Sequence, residues 1–206
     1  MANTGVLEKL FGSLAKVRLL RLFILNPEDI YDQKMIAARV DLKPLQFTSD
    51  LRALEDIGFI KRSSRVVTVE EKNHKFKRKK IAGYMLARDF AYLNEVAQLL
   101  ASETPHARKK LLTSLKSCGK VNLIVIAGRL LHEDGSKVDV FVVGDTLKKT
   151  KIEKALRSME ADLGKELIYA IMATQEFQYR HGMYDRFLKD LFDNPHEILL
   201  NKLGVN

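Results

Sequence analysis

Cysteine is almost missing from this sequence of 206 residues, and tryptophan is missing altogether. The one cysteine, Cys118, cannot form a disulfide within the chain, and it cannot supply the paired cysteines of a zinc finger. A chain that does without disulfides is typical of a reducing compartment. We therefore expect a cytoplasmic protein.

Histidine is also sparse, with five residues in the chain. No two of them stand four positions apart, the spacing that brings two histidine ligands to one face of a helix. We therefore predict no metal site built on histidine. No cofactor is expected either. The five residues are His74, His106, His132, His181 and His196.

Long apolar runs are absent. No stretch of the sequence approaches the roughly 20 apolar residues that cross a membrane as a helix. The first residues also lack the basic stretch followed by an apolar block that begins a secretory signal. We expect neither a membrane span nor a signal peptide.

Positive charge is plentiful but concentrated in one place. Apolar residues make up 46% of the chain, enough for the cores of one or two domains, and the net charge is +9. Residues 61–80 hold nine Lys or Arg and two Glu, a net charge of +7, whereas residues 119–206 balance at thirteen bases and thirteen acids. A concentrated basic segment attracts polyanions such as nucleic acids.

This basic segment, residues 61–80, is predicted to form a β-hairpin. Val66, Val67 and Val69 are β-branched residues that favour strands, and a second strand is expected at residues 81–86. The alternative is a solvated loop, since a run of like charges is often no more than that. A basic hairpin after a helical segment has the outline of a DNA-binding wing.

Three helices are predicted before the hairpin, each with apolar residues at helical spacing. The first spans residues 14–25 and the second spans residues 33–40, with N-caps at Ser13 and Asp32. The third begins near Pro44, a residue favoured in a first helical turn, and ends at a glycine. Its buried face and its end are formed by Phe47, Leu51, Leu54 and Gly58.

The predicted elements follow the order of a winged helix-turn-helix domain, which is helix, helix, turn, helix, strand, basic hairpin, strand. Residues 36–40, Ile-Ala-Ala-Arg-Val, and residues 51–61, Leu-Arg-Ala-Leu-Glu-Asp-Ile-Gly-Phe-Ile-Lys, resemble the core signature of bacterial winged-helix regulators. The resemblance covers about residues 13–88. It implies that the third helix enters the major groove of double-stranded DNA and that the basic hairpin is the wing.

The outward side of the third helix carries the candidate base-reading residues. Gln46 is suited to an adenine edge, and Ser49 can donate or accept a hydrogen bond. Asp50 is expected to face outward with Leu45 and Ala53. There its carboxylate either is repelled by phosphates or accepts from a cytosine amine.

Phosphate contacts are assigned to basic and hydroxyl residues on the helix and the wing. Because the base-reading set is modest, the wing is expected to supply most of the affinity and to make binding strongly salt-dependent. The predicted DNA-binding residues are Lys43, Gln46, Thr48, Ser49, Arg52, Lys61, Arg62, Arg65, Lys72, Lys75, Lys77, Arg78, Lys79 and Lys80.

The second half of the chain is predicted to be a mixed α/β domain with a sheet of about four strands. The strands are expected at residues 121–127, 138–143, 167–173 and 196–200. The helices between them are expected at residues 151–163, 175–183 and 184–192. We therefore predict an α+β protein with a winged helix-turn-helix domain at residues 1–101, a helical linker at 102–118 and the mixed domain at 119–206.

The helix predicted at residues 89–101 closes the first domain. In winged-helix proteins a helix in this position often pairs with its counterpart in a homodimer, which we expect here. The alternative is that it packs onto its own domain.

A second resemblance lies in the mixed domain. Ala127-Gly128-Arg129 and the segment 136–145, Ser-Lys-Val-Asp-Val-Phe-Val-Val-Gly-Asp, resemble the signature of minimal nucleotidyltransferase domains of the polymerase-β superfamily. Segments further on, including residues 166–170 and 184–188, resemble the tail that accompanies this domain in fusions with regulators. The resemblance covers about residues 119–203.

The sequence departs from that family at the residues that would hold the metal. Phosphoryl transfer there needs Mg²⁺ bound by two carboxylates at positions i and i+2, with a third acid on a neighbouring strand. Asp139 matches the second carboxylate, but Lys137 occupies the first position, and the strand that would carry the third acid has none. We therefore predict that the domain is not an enzyme, holds no metal, and has a Lys137–Asp139 ion pair on a strand face.

The matching positions are expected to form a vestigial nucleotide cleft. Two of its residues, Arg129 and Lys137, can attract a nucleotide or phosphate ligand. The alternative is a filled cleft in a domain that only supports dimerisation. The predicted cleft residues are Gly128, Arg129, Lys137 and Asp139.

The sequence thus favours a DNA-binding transcriptional regulator whose inactive second domain serves ligand sensing or dimerisation. Two other functions stay open at this point. One is a divergent nucleotidyltransferase that modifies RNA or a protein partner. The other is an interaction module whose basic hairpin binds RNA or an acidic protein.

Overall fold

The computed structural model describes residues 5–70, 76–101, 104–131 and 136–205, and at residues 67–70, 76–79, 101 and 104–107 it describes the backbone alone. The chain divides into two compact units. The first contains Met1–Glu103 and Glu160–Lys165, and the second contains Thr104–Met159 and Glu166–Asn206. The helix predicted as a linker therefore groups with the second unit. Each unit combines helices with a sheet, so the chain is α+β as predicted.

The first unit begins with three helices whose starts are set by local caps. They are α1 (Val6–Phe11), α2 (Leu14–Leu25) and α3 (Gln33–Val40). The Ser13 hydroxyl accepts from the Lys16 amide at 2.9 Å, and the Asp32 carboxylate accepts from the Met35 amide at 2.8 Å. Each of these oxygens satisfies an N–H that the first helical turn leaves without a partner. The predicted bounds of α2 and α3 and both N-caps are confirmed.

The third predicted helix is divided in two. Pro44–Gln46 forms a single 3₁₀ turn, and α4 spans Thr48–Asp56. Between them Phe47 has φ −131° and a fully buried ring, so the backbone leaves helical geometry where that ring enters the core. Gly58, at φ +77°, follows the helix in the left-handed region that favours glycine. The prediction of one continuous helix from Pro44 was therefore wrong, although its predicted buried face is correct.

The basic segment lies within a long two-stranded antiparallel hairpin. Strand β1 spans Ile60–Glu70 and strand β2 spans Phe76–Leu86. The pairing runs without a shift from Ile60 opposite Leu86 to Glu70 opposite Phe76. Both strands extend further into the charged segment than predicted, because a backbone ladder does not depend on the polarity of its side chains.

The base of this hairpin is joined to a short third segment. Tyr31 and Tyr84 exchange two backbone hydrogen bonds of 2.9 Å, which places residue 31 beside β2. The neighbouring Gly83 permits this approach, since a Cβ atom there would lie 2.2 Å from the Tyr31 carbonyl oxygen. Residue 31 thus extends the base of this sheet.

One apolar core holds the first unit together. Helix α5 (Leu93–Ala101) contributes Leu93, Val96 and Leu100 to it. The helix begins four residues later than predicted, because Phe90 lies in a turn and packs edge-to-face on Phe59 with ring centroids 5.4 Å apart. The helix thus packs onto its own domain, and its pairing in a homodimer stays a prediction. The largest fully buried side chains of this core are Phe23, Phe47, Phe59, Leu19, Leu22, Ile36, Leu51 and Ile60.

The second unit is built on a four-stranded mixed sheet. Its strands are β3 (Lys120–Ala127), β4 (Val140–Asp145), β5 (Tyr169–Met172) and β6 (His196–Asn201), in the order β5-β4-β3-β6. Strand β3 is antiparallel to both of its neighbours, whereas β4 and β5 are parallel. The two central strands are almost entirely buried, as their continuous apolar sequences predict.

Four helices accompany this sheet. They are α6 (Thr104–Lys116), α7 (Lys149–Leu163), α8 (Thr174–Gly182) and α9 (Arg186–Asp193). Phe141 on β4 packs against Phe177 of α8 and Phe187 of α9, with ring centroids 6.1 and 5.7 Å apart. Within the described residues of both units, no helix is both long and apolar enough to cross a membrane.

Candidate nucleic-acid interface and vestigial cleft

The turn before α4 and the outer face of that helix form one exposed surface of the first unit. Leu45 is 95% exposed, and Lys43, Gln46, Ser49 and Arg52 are exposed beside it. The side-chain oxygen of Gln46 accepts from the Lys43 backbone amide at 2.9 Å, which holds the turn. The side-chain NH₂ group of Gln46 is left to donate. This surface offers hydrogen-bonding groups and two cations, the groups that contact DNA in a major groove.

Asp50 does not lie on that surface. Its carboxylate accepts from the Ser13 hydroxyl at 2.5 Å and lies 3.5 Å from the Lys16 ammonium, so it faces α2. The prediction that Asp50 faces outward, to repel a phosphate or accept from a cytosine amine, was wrong. Helical periodicity placed it outside, but a short side chain at the edge of the apolar face can turn toward a neighbouring helix.

Thr48 has an internal partner as well. Its hydroxyl donates to the Pro44 carbonyl oxygen at 2.7 Å across the start of α4. The hydroxyl oxygen still has acceptor capacity, but its proton is directed into the turn. The phosphate contact predicted for Thr48 would have to replace this bond.

Arg62 is tied to the base of the hairpin. It donates to the Glu55 carboxylate at 2.8 Å, and its guanidinium lies 5.7 Å from the centre of the Tyr84 ring. The hydrogen bond that Arg62 donates to Glu55, together with the charge of that carboxylate, raises the pKa of Arg62 above its ordinary value. Neither Glu55 nor Tyr84 was predicted to matter, because tertiary structure brings them to Arg62: the strand register places Tyr84 opposite it, and Glu55 reaches it from α4.

Other basic residues of the hairpin extend along the two strands. Lys61, Arg65 and Lys80 are exposed, and Lys80 is opposite Val66. The backbones of Lys77, Arg78 and Lys79 pair with Val69, Thr68 and Val67. Lys72 and Lys75, which were also predicted to bind DNA, lie outside the described residues.

The length of the hairpin sets its reach. Each strand has eleven residues, and at about 3.3 Å per residue this corresponds to roughly 35 Å. One helical turn of B-form DNA has about the same length. Basic residues therefore occur along a strand ladder long enough to follow a duplex over about one turn.

In the second unit Gly128, Arg129 and Asp139 form one compact cluster. The Asp139 carboxylate is 3% exposed and accepts from the backbone amides of Arg129 and Ile168, both at 2.8 Å. Gly128 has φ +53°, and a Cβ atom there would lie 2.6 Å from the Asp139 carboxylate. Asp139 thus holds the turn after β3 and the residue before β5.

Arg129 covers this carboxylate. Its guanidinium donates to the Glu166 carbonyl oxygen at 2.7 Å and lies 3.5 Å from Asp139. About 43% of its side chain is exposed. One face of the guanidinium is therefore held by the protein, and the exposed part can meet an anion from solvent.

Lys137 is not part of that cluster. It pairs with Asp190 of α9, and the Lys137 ammonium, chiefly by its hydrogen bond, lowers the pKa of Asp190 below its ordinary value. Both residues line a cavity of about 190 Å³. The predicted Lys137–Asp139 ion pair was wrong, because β4 begins at Val140 and residues 137 and 139 precede the strand rather than share a strand face.

Clustered metal ligands are absent from the part of the chain that the structure describes. No three His, Cys, Asp or Glu side chains come together there as a metal site. Glu133 and Asp134, two acids near the cleft in sequence, lie outside the described residues. Asp145 accepts from the Asn122 side chain at 3.2 Å and from the Thr174 amide at 3.3 Å.

Comparison with family models, with curated proteins and with solved structures finds no match to this chain. The two resemblances described from sequence therefore rest on residue patterns. What the chain does has to be argued from its own charges and contacts.

Proposed function

We propose that this chain is a DNA-binding transcriptional regulator of the cytoplasm. Its first unit acts as a winged helix-turn-helix domain, and its second as a nucleotidyltransferase-like domain without catalytic activity. The observation that carries the proposal is the long basic hairpin, β1–β2, which follows directly after α3, the turn and α4. Helix α4 is the proposed recognition helix and the hairpin is the proposed wing.

The electrostatics of α4 support this role. Asp50, the acidic residue in its first turn, is bonded to Ser13 and Lys16 and therefore directs its charge away from the exposed face. Lys43 and Arg52 are exposed on that face, and Asp50 does not neutralise them. A phosphate group approaching this side of the first unit meets cations and hydrogen-bond donors, which favours binding.

The proposed lack of catalysis in the second unit is supported by what Asp139 does. A carboxylate that accepts from two backbone amides and is covered by a guanidinium is poorly placed to bind Mg²⁺. Lys137 stands where the resemblance places the other metal ligand, and its ammonium repels the ion. The domain is left with a structural carboxylate and a half-exposed Arg129, which suits ligand sensing or dimerisation.

The wing is tested in a variant in which glutamine replaces four basic residues, Lys75, Lys77, Arg78 and Lys79. Fluorescence anisotropy on duplex DNA is measured over a range of salt concentrations. We expect weaker binding and a shallower dependence of log affinity on log salt, by about 0.9 for each phosphate that the wing no longer neutralises.

A matched control variant removes four exposed cations of other surfaces, Arg157, Lys165, Arg186 and Lys189, in the same way. It lowers the net charge by the same amount as the wing variant. Because it removes no wing residue, the salt dependence should stay near that of the parent. If both variants behave alike, net charge rather than the wing governs binding. A preference for structured RNA over duplex DNA in competition would instead favour the RNA-binding alternative.

The absence of catalysis is tested with a radiolabelled nucleoside triphosphate and Mg²⁺. We expect no label transfer to RNA or to protein. Transfer that disappears in Asp139→Asn, in a variant shown to be folded, would establish the nucleotidyltransferase alternative and end the proposal of an inactive domain.

A further inference from the structure

The second unit carries its own cluster of lysines, which the balanced charge of residues 119–206 conceals in the sequence. Five exposed lysines come from three separate segments: the end of α6, the start of β3 and the start of α7. We refer to them as the lysine surface. They are Lys116, Lys120, Lys148, Lys149 and Lys151.

Backbone contacts bring these segments together. The Lys148 amide donates to the Cys118 carbonyl oxygen at 2.8 Å, which joins the turn after α6 to the residue before α7. Gly119 packs so closely on the same loop that a Cβ atom would lie 2.7 Å from the Thr146 carbonyl oxygen. Lys120 is opposite Asp145 at the ends of β3 and β4. The lysines are therefore placed by the fold of the unit.

Two carboxylates lie beside the lysine surface, Asp145 and Glu153, and they do not cancel its five positive charges. Asp145 is held by the Asn122 side chain and the Thr174 amide. Glu153 lies 4.0 Å from the Lys149 ammonium, at the limit of an ion pair, and both side chains are partly exposed. Helix α7 also begins at Lys149 and has no acidic residue in its first turn, so its dipole adds to the positive potential.

This surface lies away from the cleft around Asp139. Strand β3 runs from Lys120 to Ala127, and Gly128 follows at its far end. The lysine surface and the cleft therefore occupy opposite ends of the same central strand. A ligand of one does not occupy the other.

We propose that the lysine surface binds the phosphate backbone of duplex DNA. This inference rests on the proposed function, which makes DNA the polyanion that the chain meets. Exposed lysines are flexible point charges suited to phosphates and carry no sequence information by themselves. The second unit thus adds backbone contacts to those of the wing, which increases affinity without narrowing the sequence that is recognised.

The test compares two variants of the full chain on duplex DNA. In one, Lys148, Lys149 and Lys151 are replaced by glutamine, and in the matched control Arg157, Arg186 and Lys189 are replaced. For the first variant we expect the salt dependence of log affinity to become shallower by about 2 to 3. The factor by which affinity falls between about 50 mM and 200 mM salt then becomes about 40-fold smaller than in the parent. The control should leave both quantities unchanged, and an unchanged slope in the first variant overturns the proposal.

A second variant examines the other segments of the surface. In this variant glutamine replaces Lys116 of α6 and Lys120 of β3. The salt dependence of log affinity should become shallower by about 2, because both residues belong to the lysine surface. A slope equal to that of the parent would overturn the proposed surface even if the variant at Lys148, Lys149 and Lys151 had an effect. All five residues are exposed, so thermal melting should show that these variants remain folded.

The wing variant is measured alongside, so that the two proposals can fail separately. If only the wing variant lowers the slope, the proposed function stands and the lysine surface does not bind DNA. If only the lysine-surface variants lower it, the second unit binds DNA and the wing assignment fails. If structured RNA displaces the duplex from the wing variant at lower concentration than unlabelled duplex, DNA is the wrong partner for the lysine surface.

Discussion

Three aspartates show how the protein uses charge on single residues. Asp50 bonds to Ser13 and Lys16 on α2, and Asp139 accepts from two backbone amides beneath Arg129. Asp190 pairs with Lys137. Each carboxylate stabilises the structure around it. Sequence patterns had suggested that Asp50 faces DNA and that Asp139 matches a metal ligand.

Asp139→Asn should destabilise the second unit. The asparagine side chain has one carbonyl oxygen where the carboxylate used two, and its NH₂ group would face a backbone N–H donor. We expect a loss of about 1–3 kcal/mol in the free energy of unfolding, the usual cost of an unsatisfied buried donor. Urea unfolding followed by circular dichroism measures it. Asp193→Asn, at an exposed position of α9, is the matched control and should have little effect.

The Lys137–Asp190 pair predicts a dependence of stability on acid pH. The pKa of Asp190 in the folded protein is lowered, chiefly by its hydrogen bond with Lys137, so the ionised form is favoured on folding. This stabilisation is complete above the ordinary aspartate pKa of 3.8 and is lost as the pH falls through the folded value. Melting temperatures measured from about pH 6 to pH 3 should therefore fall less steeply for Lys137→Gln than for the parent. Parallel curves would show that the pair contributes nothing.

Single-residue contacts also mark the limit of sequence reasoning. Ser13 and Asp32 were predicted as caps because a cap acts on an amide three residues away in the chain. The partners of Asp139 and Asp50 are set by tertiary structure, with Ile168 lying 29 residues beyond Asp139 and Ser13 lying 37 residues before Asp50. A periodicity argument can place a residue on a face, but it cannot name the distant group that the residue meets.

At the scale of elements, α4 depends on its neighbour α2 for its position. Asp50→Ala removes the bonds to Ser13 and Lys16 and should cost about 1–2 kcal/mol of stability, because one carboxylate satisfies both partners. If α4 is the recognition helix, affinity for duplex DNA should fall as well, although a negative charge has been removed. Urea unfolding and anisotropy measure the two effects.

The matched control for α4 is Asp56→Ala. Asp56 is exposed at the last residue of the same helix, where a carboxylate is unfavourable to the helix dipole. This change should leave stability unchanged or raise it. If Asp50→Ala strengthens DNA binding as much as Asp56→Ala does, Asp50 acts only through its charge and does not position α4.

The hairpin depends in the same way on a glycine. Gly83→Ala would place a methyl group against the Tyr31 backbone and break the two hydrogen bonds between residues 31 and 84. We expect a loss of about 2–3 kcal/mol from overpacking and the broken bridge. Gly182→Ala is the matched control, since a Cβ atom there meets nothing within 4 Å, and it should be neutral or stabilising. Equal unfolding curves for the two variants would contradict the close approach at Gly83.

The order and type of the elements followed from sequence far better than their ends. Periodicity and caps identified α2 and α3 with their observed bounds, and the apolar runs identified β3 and β4. The start of α4 was missed because burial of Phe47 interrupts the helix, and the start of α5 was missed because Phe90 packs on Phe59 from a turn. In both cases a tertiary contact of an aromatic ring overrides local helix propensity.

At the scale of the whole molecule, net charge describes this protein poorly. Residues 119–206 are neutral in sum, yet four exposed lysines of that range gather with Lys116 at one end of the sheet. The lysines are separated in sequence by up to 35 positions, so a count along the chain cannot detect them. Only the pairing of β3 with β4, and the contact of Cys118 with Lys148, brings them together.

If both units bind the DNA backbone, their contributions should combine. A variant that neutralises the four wing residues together with Lys148, Lys149 and Lys151 should lower the salt slope by about 6, the sum of the separate effects. Anisotropy over the same salt range measures this. A combined effect no greater than that of the wing variant alone would mean that only one of the two surfaces is in contact with DNA at a time.

The unbroken ladder of the hairpin also constrains how this protein can change in evolution. Eleven residues of β1 face eleven residues of β2 without a bulge, and neighbouring residues of a strand point to opposite faces. A single-residue deletion within either strand would exchange the faces of every residue between the deletion and the tip. Removing one residue from each strand restores the pairing but not the faces, so homologous hairpins of other lengths should gain or lose residues two at a time from each strand.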